Sequence, residues 1–421
     1  MNRYAMMETK WGKALFGCFM FMLLLLARDT LITSTLLGFT KSQMLMLGAI
    51  VAYGGVFLVR NIRAWKAILT DRRMILMGLS AAVLLVPMVL KRDWQMMYFS
   101  ILICLLLPVF LSYFASLEDV ARWYLVSITA LSAYSLVGMY VMKGLANDGV
   151  IPATVFYNSQ GAGLYNFGLA CVVPDPLWRR NFGIFREPGV YQFFLILGLY
   201  LNHYVAQWKN ARTMWGITAV LAVTMVTTFA IGGFIEMGLL AVFVYFDRKY
   251  YRSKLGKVLA GAVIAAALGG LTFILLEIRK PGFELTIYYE FFDMFKRLTT
   301  DSDSLVDRMG AIVMGISLFF RSPLWGDTIS HVLHGTAHNT SSTMILFSAL
   351  GILGGGLHIA SWMALLWKQE RSTLGNLILM LILFLSFNTQ NLTADVFFWL
   401  FPCLALTQWV LKKWKFSERK A

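Results

Sequence analysis

Trp215–Tyr245 reads WGITAVLAVTMVTTFAIGGFIEMGLLAVFVY, 31 residues with one charged side chain, Glu236, and a Gly232-Gly233 pair near the middle. As one continuous helix it would be about 46 Å long at ~1.5 Å per residue, against a hydrocarbon core of about 30 Å. A break at the glycine pair gives two short, tightly turned spans instead, near 214–229 and 231–246. Flanking charge decides between these readings. With the break, the Lys/Arg-rich connections 60–73, 208–213, 247–256 and 368–373 and the basic C-terminal segment all fall on the side of the N-terminus. That side is cytoplasmic, because short basic loops stay inside. As a single span, the stretch would move every later basic loop to the wrong face.

The same length rule places ten further spans, near 13–36, 43–59, 74–90, 94–115, 120–142, 188–207, 257–276, 340–367, 374–390 and 394–411. The expected fold is all-α: one polytopic transmembrane domain over residues 1–421, with about twelve spans and both termini cytoplasmic. Two large extracytoplasmic loops are expected, about 143–187 and 277–339. The first apolar run is bracketed by Lys10, Lys13 and Arg28 and has no small-residue cleavage site, so it reads as a first span rather than a cleaved signal. No internal repeat of the kind many transporters carry is visible.

Composition supports this. Of 421 residues 58% are hydrophobic and 14% charged, against about a quarter charged in soluble domains. The net charge of +15 could point to nucleic acid, but the cations sit in clusters between apolar runs. Arg60, Arg63, Lys66, Arg72 and Arg73 form one cluster, Arg248, Lys249, Arg252, Lys254 and Lys257 a second, and Lys412, Lys413, Lys415, Arg419 and Lys420 a third. A nucleic-acid face needs a folded soluble surface to display it, so that class is excluded. Cys18, Cys104 and Cys403 lie in apolar runs as small packing residues, and Cys171 lies in a polar loop without an evident partner.

The long loops concentrate the polar chemistry. The first ends in Trp178-Arg179-Arg180-Asn181-Phe182-Gly183-Ile184-Phe185-Arg186-Glu187-Pro188-Gly189, which opens an apolar helix at the membrane edge. Proline suits the first helical position, and helix N-termini attract anions, so Arg179, Arg180 and Arg186 beside it make a candidate phosphate or pyrophosphate cradle. The alternative is a plain interfacial helix start whose arginines meet lipid headgroups. In the second loop, Met309–Phe320 is amphipathic, too short to cross, and expected along the interface between Arg308 and Arg321. His331, His334 and His338 follow within eight residues. Gly335 argues against a helix there, and a zinc site needs a fourth ligand, so no metal is expected. His338, next to Asn339 and just before a span, is the favoured general base. Glu236 is either functional or the partner of a buried polar group. Arg28 and Asp29 are expected to pair with each other, and His203 and His358 to be packed in the bundle.

Phe182–Gly189 resembles a motif of bacterial O-antigen and exopolysaccharide polymerases, within the O-antigen ligase-like superfamily, in which an Arg, a Gly-containing turn and Glu-Pro precede an apolar helix. Thr227–Phe234 resembles that family's Thr-Ser-Arg-Gly-Gly break, but Ala230-Ile231 stands where Ser-Arg is usual. Arg308, Ser322-Pro323-Leu324-Trp325-Gly326, His338-Asn339 and Leu350–Gly354 resemble its second loop in order and spacing. The likeness covers about residues 180–360.

The resemblance implies a glycosyltransferase of the bacterial inner membrane that polymerises undecaprenyl-diphosphate-linked oligosaccharide repeat units, by inversion and without a cofactor. Flippase and chain-length regulator proteins are possible partners by the same likeness. Arg186, Arg308, Arg180, Arg321 and Asn339 would bind substrate and diphosphate, and His338 or Glu187 would activate the acceptor. A ligase shares the spans and the second-loop histidine. A lipid-linked oligosaccharide transporter would instead place charge along a midplane path, and a scaffold would not depend on Arg186 or His338.

Overall fold

A computed structural model describes residues 9–61, 65–157, 163–174, 180–254, 257–258, 261, 303–335, 341–388 and 390–418. The first helices are α1 (Lys10–Leu25), α2 (Gly38–Arg60), α3 (Trp65–Leu69), α4 (Arg72–Lys91), α5 (Met96–Leu111) and α6 (Leu117–Val137). α6 continues through a π-helical turn, Gly138–Met142, into α7 (Lys143–Asn147). Strands β1 (Thr154–Tyr157), β2 (Gly163–Asn166) and β3 (Cys171–Val172) follow. Then come α8 (Pro188–Tyr204), α9 (Ala211–Thr227), α10 (Ile231–Asp247), α11 (Asp303–Arg321), α12 (Ile329–Gly335), α13 (Ser342–Leu366), α14 (Thr373–Asn388) and α15 (Val396–Glu418).

α8 is the axis of the bundle. It is apolar on every face, and nearly all its side chains are buried. Such a helix must be covered on all sides, and α6, α9, α10 and α14 cover it. Few polar links cross this core. The Tyr124 hydroxyl donates to the Phe194 carbonyl at 2.7 Å, and the Tyr200 hydroxyl donates to the Leu365 carbonyl at 2.9 Å. The first half of α15 is equally buried and packs on α5 and α13.

Among the described residues four helices are long and apolar enough to cross a membrane: Thr40–Arg60, Arg72–Lys91, Leu117–Asn147 and Ser342–Leu366. Their outward faces expose Val51, Val59, Leu79, Val89 and Val126, apolar surface of the kind a bilayer covers in a membrane protein. The break in Trp215–Tyr245 falls as expected. α9 stops at Thr227, Phe229 turns the chain at φ +47°, and α10 begins at Ile231.

Several boundaries differ from the sequence reading. The chain is not purely helical, since β1, β2 and β3 form an antiparallel sheet with Thr154 opposite Asn166 and Asn166 opposite Cys171. The stretch 13–36 is not one helix. α1 ends at Leu25 because the Thr30 and Thr33 hydroxyls take the Leu25 and Ala27 carbonyls (2.7 and 3.1 Å), and Asp29 turns left-handed at φ +60°. Short polar side chains compete for helix backbone in this way. α11 is longer than Met309–Phe320 and packs on α13, where Gly315 meets Met344 and Ser348. His331 and His334 do lie on a helix, α12. Nearly all of 257–276 lies outside the described residues.

α13 is kinked at Gly351, whose φ of 62° and ψ of −158° suit only glycine. The freed backbone groups find partners in Ser322–Asp327: the Ile352 N–H donates to the Pro323 carbonyl at 2.8 Å, and the Asp327 N–H donates to the Ser348 carbonyl at 2.6 Å. Gly326, at φ +70°, sits back to back with Gly351, and a Cβ on either would overlap the other's backbone. Gly351→Ala should therefore lower unfolding stability by more than the roughly 1–3 kcal/mol that a strained backbone position costs. Gly356→Ala, where a Cβ meets nothing, should be neutral or better. Thermal unfolding in detergent checks both.

Candidate functional site

The residues before α8 form a compact plug. Phe182, Ile184 and Phe185 are buried, and the Phe185 ring lies 4.4 Å from Phe194 and 5.3 Å from Tyr191. Gly183 is required twice over: its φ is +57°, and a Cβ would collide with the Tyr191 ring. Asn181, fully buried, organises the turn. Its backbone N–H donates to the Thr227 carbonyl at 2.8 Å. Its amide donates to the Ser135 and Thr227 hydroxyls, both at 3.0 Å, and its side-chain oxygen accepts the Gly183 N–H at 2.9 Å. The apolar half of this motif is therefore packing, and the charged pair Arg186 and Glu187 emerges half-buried at its rim.

Arg186 is held by the hinge after α1. The two segments pair antiparallel, with the Leu31 N–H donating to the Ile184 carbonyl at 2.6 Å and the Arg186 N–H to the Asp29 carbonyl at 2.8 Å. The Arg186 guanidinium donates to the Asp29 carboxylate at 3.3 Å, and Arg28 stands 3.6 Å from the same carboxylate. One carboxylate thus serves two guanidiniums. The Arg186 Nε is buried and has no acceptor among the described residues.

The turn from α14 to α15 closes the other side. The Gln390 amide sits so close over Gly189 that a Cβ there would strike it. Arg28 donates from Nη1 to the Asn391 side-chain oxygen (3.3 Å) and from its backbone to Asp395 (2.9 Å). Asp395 also accepts the Phe397 and Phe398 N–H groups at 2.8 and 3.2 Å, capping α15. This turn is tied to the residues just after His338-Asn339. The Ser342 hydroxyl donates to the Gln390 carbonyl at 2.7 Å and accepts the Leu392 N–H at 2.8 Å. The Asn388 side-chain oxygen accepts from the Ser341 hydroxyl at 2.9 Å and the Thr343 N–H at 3.0 Å. Ser341–Thr343 at the start of α13 and Gly189 at the start of α8 therefore meet at one end of the bundle.

The remaining sequence-derived candidates fall as follows. Arg180 donates to the Thr228 and Phe229 carbonyls, both at 3.3 Å, and so bolts the turn between α9 and α10. Arg308 lies on α11, and its side chain is outside the described residues, as are His338 and Asn339 entirely. Arg321 is exposed at the end of α11. His331 forms an exposed pair with Asp327 at 2.7 Å. Among the described residues no three of His, Cys, Asp and Glu are grouped to hold a metal ion. Burial pushes the Cys171 thiol up to about 12, so it stays protonated and inert near neutrality. His358 is buried and stacked on Phe398 at 4.9 Å, and His203 lies 3.1 Å from the Thr218 hydroxyl. Glu236 is buried on α10 close to Gln192 and Ser386, with Oε2 unpartnered among the described residues.

Sequence reasoning missed four contributors. Asp29 pairs with Arg186 as well as with its neighbour. The polar run Asn388–Asp395 was readable as a third element on the side of the long loops. Lys91 donates to the carbonyls of Trp325, Gly326 and Asp327, and Asp93 accepts the Ser330 N–H at 3.2 Å, fastening the second loop to the turn between α4 and α5. No family model, curated protein or solved structure matches the chain.

Asn181→Ala should remove three side-chain hydrogen bonds and leave the Gly183 N–H unsatisfied. It should cost at least about 1–3 kcal/mol, measured as a loss of thermal stability without loss of membrane insertion.

Proposed function

We propose that the chain is a polysaccharide polymerase of the bacterial inner membrane, joining undecaprenyl-diphosphate-linked oligosaccharide repeat units at the outer face. The observation that carries the reading is Arg186: a guanidinium at the N-terminus of the central helix, its Nε buried and unpartnered among the described residues, its one carboxylate shared with Arg28. A diphosphate leaving group needs cationic donors where negative charge develops, and a preorganised arginine supplies them. The N-terminus of α8 adds its dipole at the same end of the bundle.

Two more observations support it. Gln390 packed over Gly189 and the bonds of Ser341 and Ser342 to the Asn388–Leu392 turn bring the starts of α8 and α13 to one end of the bundle. Arg180 also sets a guanidinium on the Thr228–Phe229 turn, where the resemblance leaves an arginine missing. In this reading the acceptor hydroxyl attacks the anomeric carbon while the diphosphate leaves toward Arg186 and Arg308. His338 or Glu187 takes the hydroxyl proton, and Arg321 and Asn339 line the approach. The reading carries about twelve spans, cytoplasmic termini and both long loops outside.

Orientation is tested by single cysteines in a cysteine-free background. Cysteines at Ser159 and Ser302 should react with a membrane-impermeant thiol reagent in intact cells, and one at Ser253 should not. Labelling at Ser253 alone would move the site to the wrong compartment.

Arg186→Lys and Arg308→Lys keep the charge but lose the planar fork that grips two phosphate oxygens. Each should cost on the order of 2–4 kcal/mol of transition-state stabilisation, roughly a hundredfold or more in rate. Cells carrying either should show single-repeat glycan with normal expression, and Arg179→Lys should change little. Near-normal chain length would leave these arginines as interface anchors. Full-length glycan stranded on the carrier in a deletion strain would indicate a ligase instead.

A further inference from the structure

At the opposite end of α8, three cations surround one ring. The Arg248 guanidinium lies 4.8 Å from the centre of Tyr204, the Arg371 guanidinium 4.9 Å, and the Lys368 ammonium 5.3 Å. They come from two places, Arg248 just after α10 and the other two from the turn between α13 and α14. Arg371 is already satisfied: it grips Asp247 with two bonds, 2.9 and 3.1 Å, and lies against Phe243. Arg248 donates to the His203 carbonyl and Lys368 to the Tyr204 carbonyl, and neither is paired with a carboxylate among the described residues. Glu370, exposed, is the other acid whose charge reaches Lys368. Burial, then the charges of Arg248 and Arg371, still hold the Lys368 ammonium below its ordinary value. The cluster is short of negative charge.

Its surroundings indicate where that charge comes from. Trp215, Tyr251 and Trp367 are partly exposed beside it, and Trp215 packs on Tyr250 at 5.6 Å. Indole and phenol rings of this kind collect at the level of lipid headgroups. On α10, Val242 and Phe246 are exposed on the approach to Arg248, apolar surface on which an acyl chain can lie. We propose that Arg248 and Lys368, beside the Asp247-bound Arg371, bind the phosphate of an anionic phospholipid headgroup at the bilayer interface. The lipid ties the ends of α8 and α10 to the turn between α13 and α14. The site stands whether or not the chain is a polymerase.

The full chain, purified and held in phosphatidylcholine micelles, is titrated with phosphatidylglycerol, reading the unfolding midpoint and the lipid adducts retained in native mass spectra. The midpoint should rise with phosphatidylglycerol, and a phosphatidylglycerol adduct should persist on the wild-type protein. Arg248→Gln with Lys368→Gln should weaken apparent affinity about tenfold or more, given the usual contribution of interfacial cations. Lys412→Gln with Lys413→Gln, which removes the same charge from the end of α15, should not. Equal losses in the two pairs would reduce the site to diffuse surface charge and overturn the proposal. Equal stabilisation by millimolar inorganic phosphate would assign the cluster to a free anion and overturn the lipid. If the first pair fails to fold, Lys368→Gln alone and the wild-type adduct decide, and absence of that adduct also overturns it.

Discussion

A broken helix inside an apolar bundle has no water to turn to, so its freed backbone groups must be satisfied from within the protein. Here each break is answered by another segment. The hinge after α1 pairs with the strand-like approach to α8. The carbonyls exposed where α9 ends are taken by Asn181 and Arg180. The kink at Gly351 is filled by Ser322–Asp327, and the turn between α14 and α15 is fastened to Ser341 and Ser342. Arg28, Asp29, Asn181 and Asp395 are therefore placed by backbone accounting first, and whatever chemistry they support is built on it.

This explains which parts of the structure were legible. Apolar length located the helix-forming stretches, and the charge flanking Trp215–Tyr245 forced the break that the structure places at Thr228–Ala230. The Arg186–Gly189 helix start was also readable, because proline and glycine announce such positions. What could not be read was pairing across sequence. Asp29 and Arg186 are 157 residues apart, and Arg28 and Asp395 are 367 apart. Nothing local signals either contact. Likewise Gly326 and Gly351 read as family-like spacing, whereas their physical reason is that two backbones touch there. The sheet of β1, β2 and β3 was missed because strands of four residues or fewer carry too few alternations to register.

The two ends of α8 use arginine differently. At Tyr204 the cations are stacked on aromatic faces and one is locked to Asp247, an arrangement suited to holding a headgroup in place. At Arg186 the guanidinium keeps a buried donor in reserve, and its neighbour Arg28 bonds Asn391 of a turn that also carries the amides Asn388 and Gln390. Amides can bond hydroxyl-rich or phosphorylated ligands without imposing a charge of their own. Of the buried charged residues among those described, Arg73, Asp93, Lys143 and Asp395 lie at helix ends or in turns, and Glu236 lies inside α10.

The shared carboxylate of Asp29 bears on how such a site could work. An arginine left alone at a membrane edge would swing between solvent and headgroups, and ordering it on substrate arrival would cost side-chain entropy of up to about 2 kcal/mol. Asp29 holds the Arg186 backbone and guanidinium together and is itself steadied by Arg28, whose backbone is anchored to Asp395. The ordering is thus complete before a ligand arrives. At 3.3 Å the single bond to Asp29 leaves the rest of the guanidinium fork for a second anion. A diphosphate, with more oxygens than one carboxylate and a higher charge, can take up those donors without dismantling the hinge. On the proposed function, such an arginine would favour the leaving group as its charge grows rather than only bind it.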